Sequence, residues 1–168
     1  MYARKRLDVG WRDLFSGLLA CAGSFDEKAP RARIERAFSS GGSSGGSGDG
    51  EALACLSVRS GLDLYLEEIA LPRGSEVLMS ALTIPDMWKI VEHHGLVPVP
   101  VDLDPRTLAP RIAFLEAAAS PRTRAVIVAH LFGVRLDLEA ISRLARAKNW
   151  RLLEDCAQSW TGDTDRGD

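Results

Sequence analysis

Apolar and polar positions change their rhythm at about residue 50. From there on, short apolar runs alternate with helix-length amphipathic segments. The runs are Ala52 to Leu56, Glu76 to Met79, Val97 to Val101, Ala125 to Ala129 and Arg151 to Leu153. The segments between them are Gly61 to Leu71, Asp86 to His94, Arg111 to Ala119 and Asp137 to Lys148. In the last of these, Leu138, Ile141, Leu144 and Ala145 recur at helical spacing, and Asp137 reads as its N-cap. Gly95 stands where a helix C-cap belongs. Runs of this length joined by helices predict an α/β fold, a mostly parallel sheet of five strands flanked by helices.

Before residue 50 the pattern differs. Two helices are expected, Asp8 to Cys21 and Asp26 to Phe38. The first places Trp11, Leu14, Phe15, Leu18 and Leu19 on one face. Arg4, Lys5 and Arg6 ahead of that apolar patch invite comparison with a signal peptide. However, Asp8, Arg12 and Asp13 interrupt it, and the amphipathic helix is the preferred reading. Ser39 to Gly50 is almost wholly Gly and Ser, a composition with nothing to bury, so it reads as a flexible joint. The expected division is thus a helical arm (1–38), a flexible loop (39–50) and an α/β domain (51–168).

Composition narrows the class. With 168 residues and 46% hydrophobic content the chain can bury a substantial core. A formal net charge of -2 argues against a broad basic face for nucleic acid. No apolar run approaches the roughly 20 residues of a membrane span. Cys21, Cys55 and Cys156 are widely spaced, form no C-x-x-C and do not combine with His93, His94 or His130 at zinc spacing. They read as buried thiols of a cytoplasmic protein, with no metal site. His93 and His94 read as solvated or dipole-favoured groups near a helix end.

In a parallel sheet, ligands collect beyond the carboxyl ends of the strands, so chemistry is sought there. Ser57-Val58-Arg59-Ser60-Gly61 leads into a helix whose backbone N–H groups, dipole, Ser60 hydroxyl and Arg59 charge suit an anion. An ordinary turn capped by Ser60 accounts for the same residues equally well. Glu154 and Asp155 end the last strand and should point to opposite faces. A ligand's cationic nitrogen, a metal ion, a helix N-terminus or plain solvent each suits them. His130-Leu131-Phe132-Gly133 follows the fourth run, where a lone histidine is commonly a packed, hydrogen-bonded group.

Three pieces in order, V-D-L-D-P from Val101, P-R-T-R-A-V-I-V-A-H-L-F-G from Pro121 and E-D-C-A-Q from Glu154, resemble the DegT/DnrJ/StrS-type sugar aminotransferases. These are pyridoxal-phosphate enzymes of fold type I, and the resemblance runs from about Glu51 to Gly162. It implies that Arg59, Ser60 and Gly61 hold the cofactor phosphate. Asp155 would meet the pyridinium nitrogen, Gln158 would lie near the phenolic oxygen, Thr83 would belong to the loop over the ring, and His130 would line the pocket. It further implies a homodimer, a keto-sugar nucleotide as substrate and glutamate as amino donor. Departures accompany the match. Val58-Arg59 stands where the family usually has Gly-Thr, and Ile84 stands where an aromatic residue often stacks on the cofactor. The family's Schiff-base lysine is expected a few tens of residues beyond E-D-x-A-Q. Lys5, Lys28, Lys89 and Lys148 all precede Asp155, so a fragment inactive by itself is expected, with a non-catalytic binding module as the alternative.

Overall fold

The computed structural model describes residues 9–22, 28–40 and 52–159. Helices α1 (Trp11–Ala22) and α2 (Lys28–Ser40) are followed by α3 (Val58–Ile69), β1 (Glu76–Ser80), α4 (Pro85–His93), β2 (Val97–Val101) and α5 (Ile112–Ala118). Then come β3 (Thr123–Ala129), a single 3-10 turn (Leu131–Gly133), α6 (Glu139–Lys148) and β4 (Arg151–Asp155). The chain divides into two compact units, Met1–Ala54 and Cys55–Asp168. In the first, α1 forms as its spacing predicts and keeps Trp11, Leu14, Phe15, Leu18 and Leu19 exposed. The Gly/Ser stretch lies, apart from Ser39 and Ser40, outside the described residues.

The second unit holds a four-stranded parallel sheet in the order β2-β1-β3-β4. Four of the five expected strands are present; the exception is Ala52 to Leu56. There the Ala54 N–H donates to Glu35 Oε1 at 3.0 Å rather than to a strand, and Leu53 and Leu56 are exposed. An apolar run identifies a segment that could be buried, but pairing also requires a neighbour for its backbone.

Side chains alternate across the sheet. Val77, Met79, Ala125 and Ile127 join Leu62 and Leu66 of α3 and Met87 and Val91 of α4 in one core. Leu78, Val126 and Val128 join Leu115 of α5 and Ile141 and Ala145 of α6 in the other. Strand β1 therefore lies at the switch point, with β2 reached on one side and β3 on the other. The loops leaving β1 and β3 diverge, which opens a crevice at the carboxyl edge.

Strand β2, Val-Pro-Val-Pro-Val, is an edge strand by its chemistry. The Val97 N–H donates inward to Ser75 O at 2.9 Å, so the alternate positions Pro98 and Pro100 face outward, where no strand pairs. Helix α4 ends in a Schellman motif. Gly95, at φ 70°, donates to Glu92 O at 2.8 Å, and Leu96 donates to Val91 O at 3.2 Å. Gly95 is thus the expected helix stop. The expected burial of the thiols is not found: Cys21, Cys55 and Cys156 are all exposed. Of the adjacent histidines at the end of α4, His93 is exposed, while His94, the C-cap, lies with Nε2 2.9 Å from Asp63 Oδ1 on α3.

Candidate functional site

Helix α3 begins three residues earlier than the apolar pattern indicates, because Ser57 caps it. Ser57 is extended (φ -161°, ψ 163°), and its Oγ accepts the Ser60 N–H at 3.1 Å. Its carbonyl accepts the Gly61 N–H at 3.0 Å. Ser60 is therefore the capped residue rather than the cap. The N–H groups of Ser60 and Gly61 already serve Ser57, and those of Val58 and Arg59 head the helix, where no preceding turn offers a carbonyl. The anion-favouring end of α3 is centred on Val58 and Arg59, slightly upstream of the expected position. Arg59 Nη1 lies 3.2 Å from Asp86 Oδ2 in the first turn of α4, both side chains being half exposed.

Four of the expected site residues converge. Arg59 from α3, Thr83 from the loop after β1, and Asp155 and Gln158 from the end of β4 line one cavity of about 420 Å³. Much of its remaining wall is apolar, with Met87, Leu131 and Phe132 contributing. Ser60 lies apart, in a neighbouring cavity of about 440 Å³ with Asp63, Asp86, Lys89 and His93, which shares Arg59 with the first. Gly61 borders a third, of about 260 Å³, that also reaches Asp155.

His130 belongs to the strand-end architecture and not to the cavity wall, which Ala129 and Leu131 reach instead. It is 1% exposed. Its backbone N–H donates to Asp155 O at 3.0 Å. Its Nδ1 accepts the Leu136 N–H at 3.0 Å, so the ring proton of the neutral imidazole sits on Nε2, 2.5 Å from Glu154 Oε1. Glu154 and Asp155 thus leave the strand on opposite faces, one to His130 and one to the cavity. His130, Glu154 and Cys156 carry ligand-type atoms within 4.8 Å of one another. The tautomer imposed by Leu136 removes the Nε2 lone pair a metal would need. Desolvation of the sulfur and the adjacent Glu154 carboxylate push the Cys156 thiol up.

Gln158 is oriented by a contact the sequence does not announce. Its Oε1 accepts the Phe132 N–H at 3.0 Å, and an N–H can face only the amide oxygen. The amide oxygen of Gln158 is thereby committed to the backbone of the turn after β3. Phe132 itself stands in the left-handed region (φ 56°, ψ 26°), an uncommon conformation for a bulky residue and a frequent mark of a functional turn.

A doubly wound parallel sheet, with a crevice at its switch point that carries a strand-end acid and a helix-head arginine, is the architecture of a ligand-binding α/β protein. Its family is more specific: residues 43–167 match the DegT/DnrJ/EryC1/StrS aminotransferase family, and the chain belongs to that family. It is 38% identical over 113 residues to the UDP-N-acetyl-3-dehydro-alpha-D-glucosamine 3-aminotransferase of Acidithiobacillus ferrooxidans, covering 67% of this chain and 31% of that protein. An L-glutamine:2-deoxy-scyllo-inosose aminotransferase of Streptoalloteichus tenebrarius is 36% identical over 159 residues, 94% of this chain and 36% of that one. The chain thus spans about a third of the length of these curated relatives. Among solved structures, NtdA of Bacillus subtilis with bound cofactor PMP superposes with a TM-score of 0.57 at 30% identity, over 63% of this chain and 24% of that one. The fold is that of the pyridoxal-phosphate-dependent aminotransferases.

Proposed function

We propose that residues 55–159 form the cofactor-binding part of an aminotransferase that acts on a keto-sugar nucleotide with glutamate as amino donor. The observation that carries this reading is the meeting of Arg59, Thr83, Asp155 and Gln158, from three separate elements, around one largely apolar cavity. That donor set fits pyridoxal phosphate. Arg59 and the head of α3 suit the phosphate, and Met87, Leu131 and Phe132 suit the flat ring. The cofactor, when bound, supplies an electron sink for negative charge at the carbon that carries the amino group. Asp155 keeps a proton on the ring nitrogen by a charge-assisted hydrogen bond. Gln158 would lie near the phenolic oxygen, and Thr83, in the loop after β1, would stand beside the ring. Ser60 and Gly61 act on the phosphate indirectly, by shaping the Ser57-capped turn. His130 holds the end of β4 in register through Asp155 O and Glu154.

The nucleotide-sugar assignment draws on the Acidithiobacillus relative, which is named for a UDP-sugar. A homodimer in the cytoplasm completes the reading. Among the described residues no lysine lines the cavity, and Lys89 lines its neighbour. On this reading the described residues hold the cofactor without attaching it, and transamination by them alone is not expected.

Pyridoxamine phosphate tests the site, because it cannot react with surface lysines. Saturable one-site binding is expected, at least tenfold weaker in Asp155→Ala and in Arg59→Ala, and weaker for pyridoxamine without its phosphate. No saturable binding would overturn the assignment. Borohydride reduction after adding pyridoxal phosphate should leave no stoichiometric adduct; a single Asp155-dependent one would show an attaching amine in this chain.

A further inference from the structure

Arg59 is shared between two cavities, whereas Asp86 lines only the second. Their contact at 3.2 Å ties the guanidinium to a carboxylate of the second cavity. We propose that Asp86 is an internal counter-ion of Arg59, a positioning residue that an incoming phosphate must displace. The inference rests on the reading that the ligand phosphate sits at the head of α3.

The placement of Asp86 supports this role. It stands in the first turn of α4 directly after Pro85, whose fixed φ sets the helix start, so its carboxylate is held beside the mouth of α3. Both partners are half exposed, and a pair of that kind exchanges readily with solvent or a competing anion. A phosphate carries more charge than a carboxylate and also gains the unused N–H groups of Val58 and Arg59, so it wins the guanidinium. The surrounding charges do not reverse the balance. Asp63 in the same cavity is engaged by His94, and Lys89 adds positive charge near Asp86. Asp86 opposes the ligand in two ways: it occupies Arg59 and it repels a dianion. Its consequence is selectivity, since a weakly charged anion cannot displace it.

The test compares the full chain with Asp86→Asn, using pyridoxamine phosphate, pyridoxamine and inorganic phosphate as probes and circular dichroism to confirm the fold. Asp86→Asn should bind pyridoxamine phosphate about two- to fivefold more tightly, as expected for releasing one exposed ion pair. Pyridoxamine should be unaffected, and in an Arg59→Ala background the gain should shrink toward unity. Unchanged or weaker pyridoxamine phosphate binding by folded Asp86→Asn overturns the counter-ion while leaving the cofactor assignment intact. Should only inorganic phosphate bind, and more tightly to Asp86→Asn, the counter-ion stands and the cofactor assignment falls. Failure of both phosphate probes to bind either protein overturns both.

Discussion

Glu76 enters β1 with a carboxylate that is almost wholly buried yet fully engaged. Oε2 accepts the Ser120 hydroxyl at 2.5 Å and the Thr123 hydroxyl at 3.2 Å, and Oε1 accepts Arg122 Nη2 at 2.7 Å. These donors, Ser120 foremost, hold the carboxyl below its usual value of 4.5 despite burial. A group whose folded value is depressed adds stability above its unfolded value and loses it as pH falls through the folded one. Urea midpoints should therefore fall as pH drops below about 4.5, with Glu76→Gln flattening that dependence. At neutral pH the substitution should cost about 1–3 kcal/mol, because it leaves the Ser120, Thr123 and Arg122 donors without their charged acceptor. An unaltered acid limb in Glu76→Gln would contradict the assignment. At this scale the sequence is only partly legible. Strand ends and motif resemblance point to Asp155, Thr83, Arg59 and Gln158, and these four line one cavity. The pairings Arg59–Asp86, His130–Glu154 and Phe132–Gln158 span 24 to 27 positions and leave no local signature. The Ser57 cap did leave one: Ser57 stands three residues before Ser60, the spacing of a cap and the N–H it receives.

Elements are more legible in the sequence than contacts, because their period is written into each segment. The runs at β1, β2, β3 and β4 lie where periodicity and length place them, with ends shifted by one or two residues where hydrogen bonding continues past the apolar core. Ala52 to Leu56 shows the limit, since its apolar character is that of a strand and its backbone bonds elsewhere. Helix ends follow local chemistry. Helix α4 stops on a glycine at positive φ, whereas α3 stops on Ala70 at φ 42°, an exposed residue with a Cβ in the left-handed region. Ala70→Gly should relieve that conformation and raise stability by about 0.5–1 kcal/mol in denaturant melts. A loss of stability would mean that Ala70 makes a contact worth more than its backbone strain.

At the level of the molecule, the sheet divides two cores, and only the core under α3 and α4 opens at its carboxyl edge into the cavity. On the other side of β4 the buried His130 meets the exposed Glu154, so the cavity acid Asp155 and this strand-end pair occupy opposite sides of the same strand. Among the described residues the sheet has two outer flanks, and they differ. The outward positions of β2 carry proline nitrogens, which have no hydrogen to donate. The outer flank of β4 retains its amides. Replacing Pro98 and Pro100 together by threonine should make both flanks adhesive, and static light scattering should then rise with concentration well beyond that of the parent chain. Equal scattering from the two proteins would show that these prolines do not govern association.

The asymmetry of those flanks also bears on how further strands would add to the sheet. A sheet that is sticky on both sides can recruit neighbours without end, as a fibre does. This one has no outward amide at Pro98 and Pro100 to offer a newcomer, so strand addition on the β2 side lacks the donors that a fibre repeat needs.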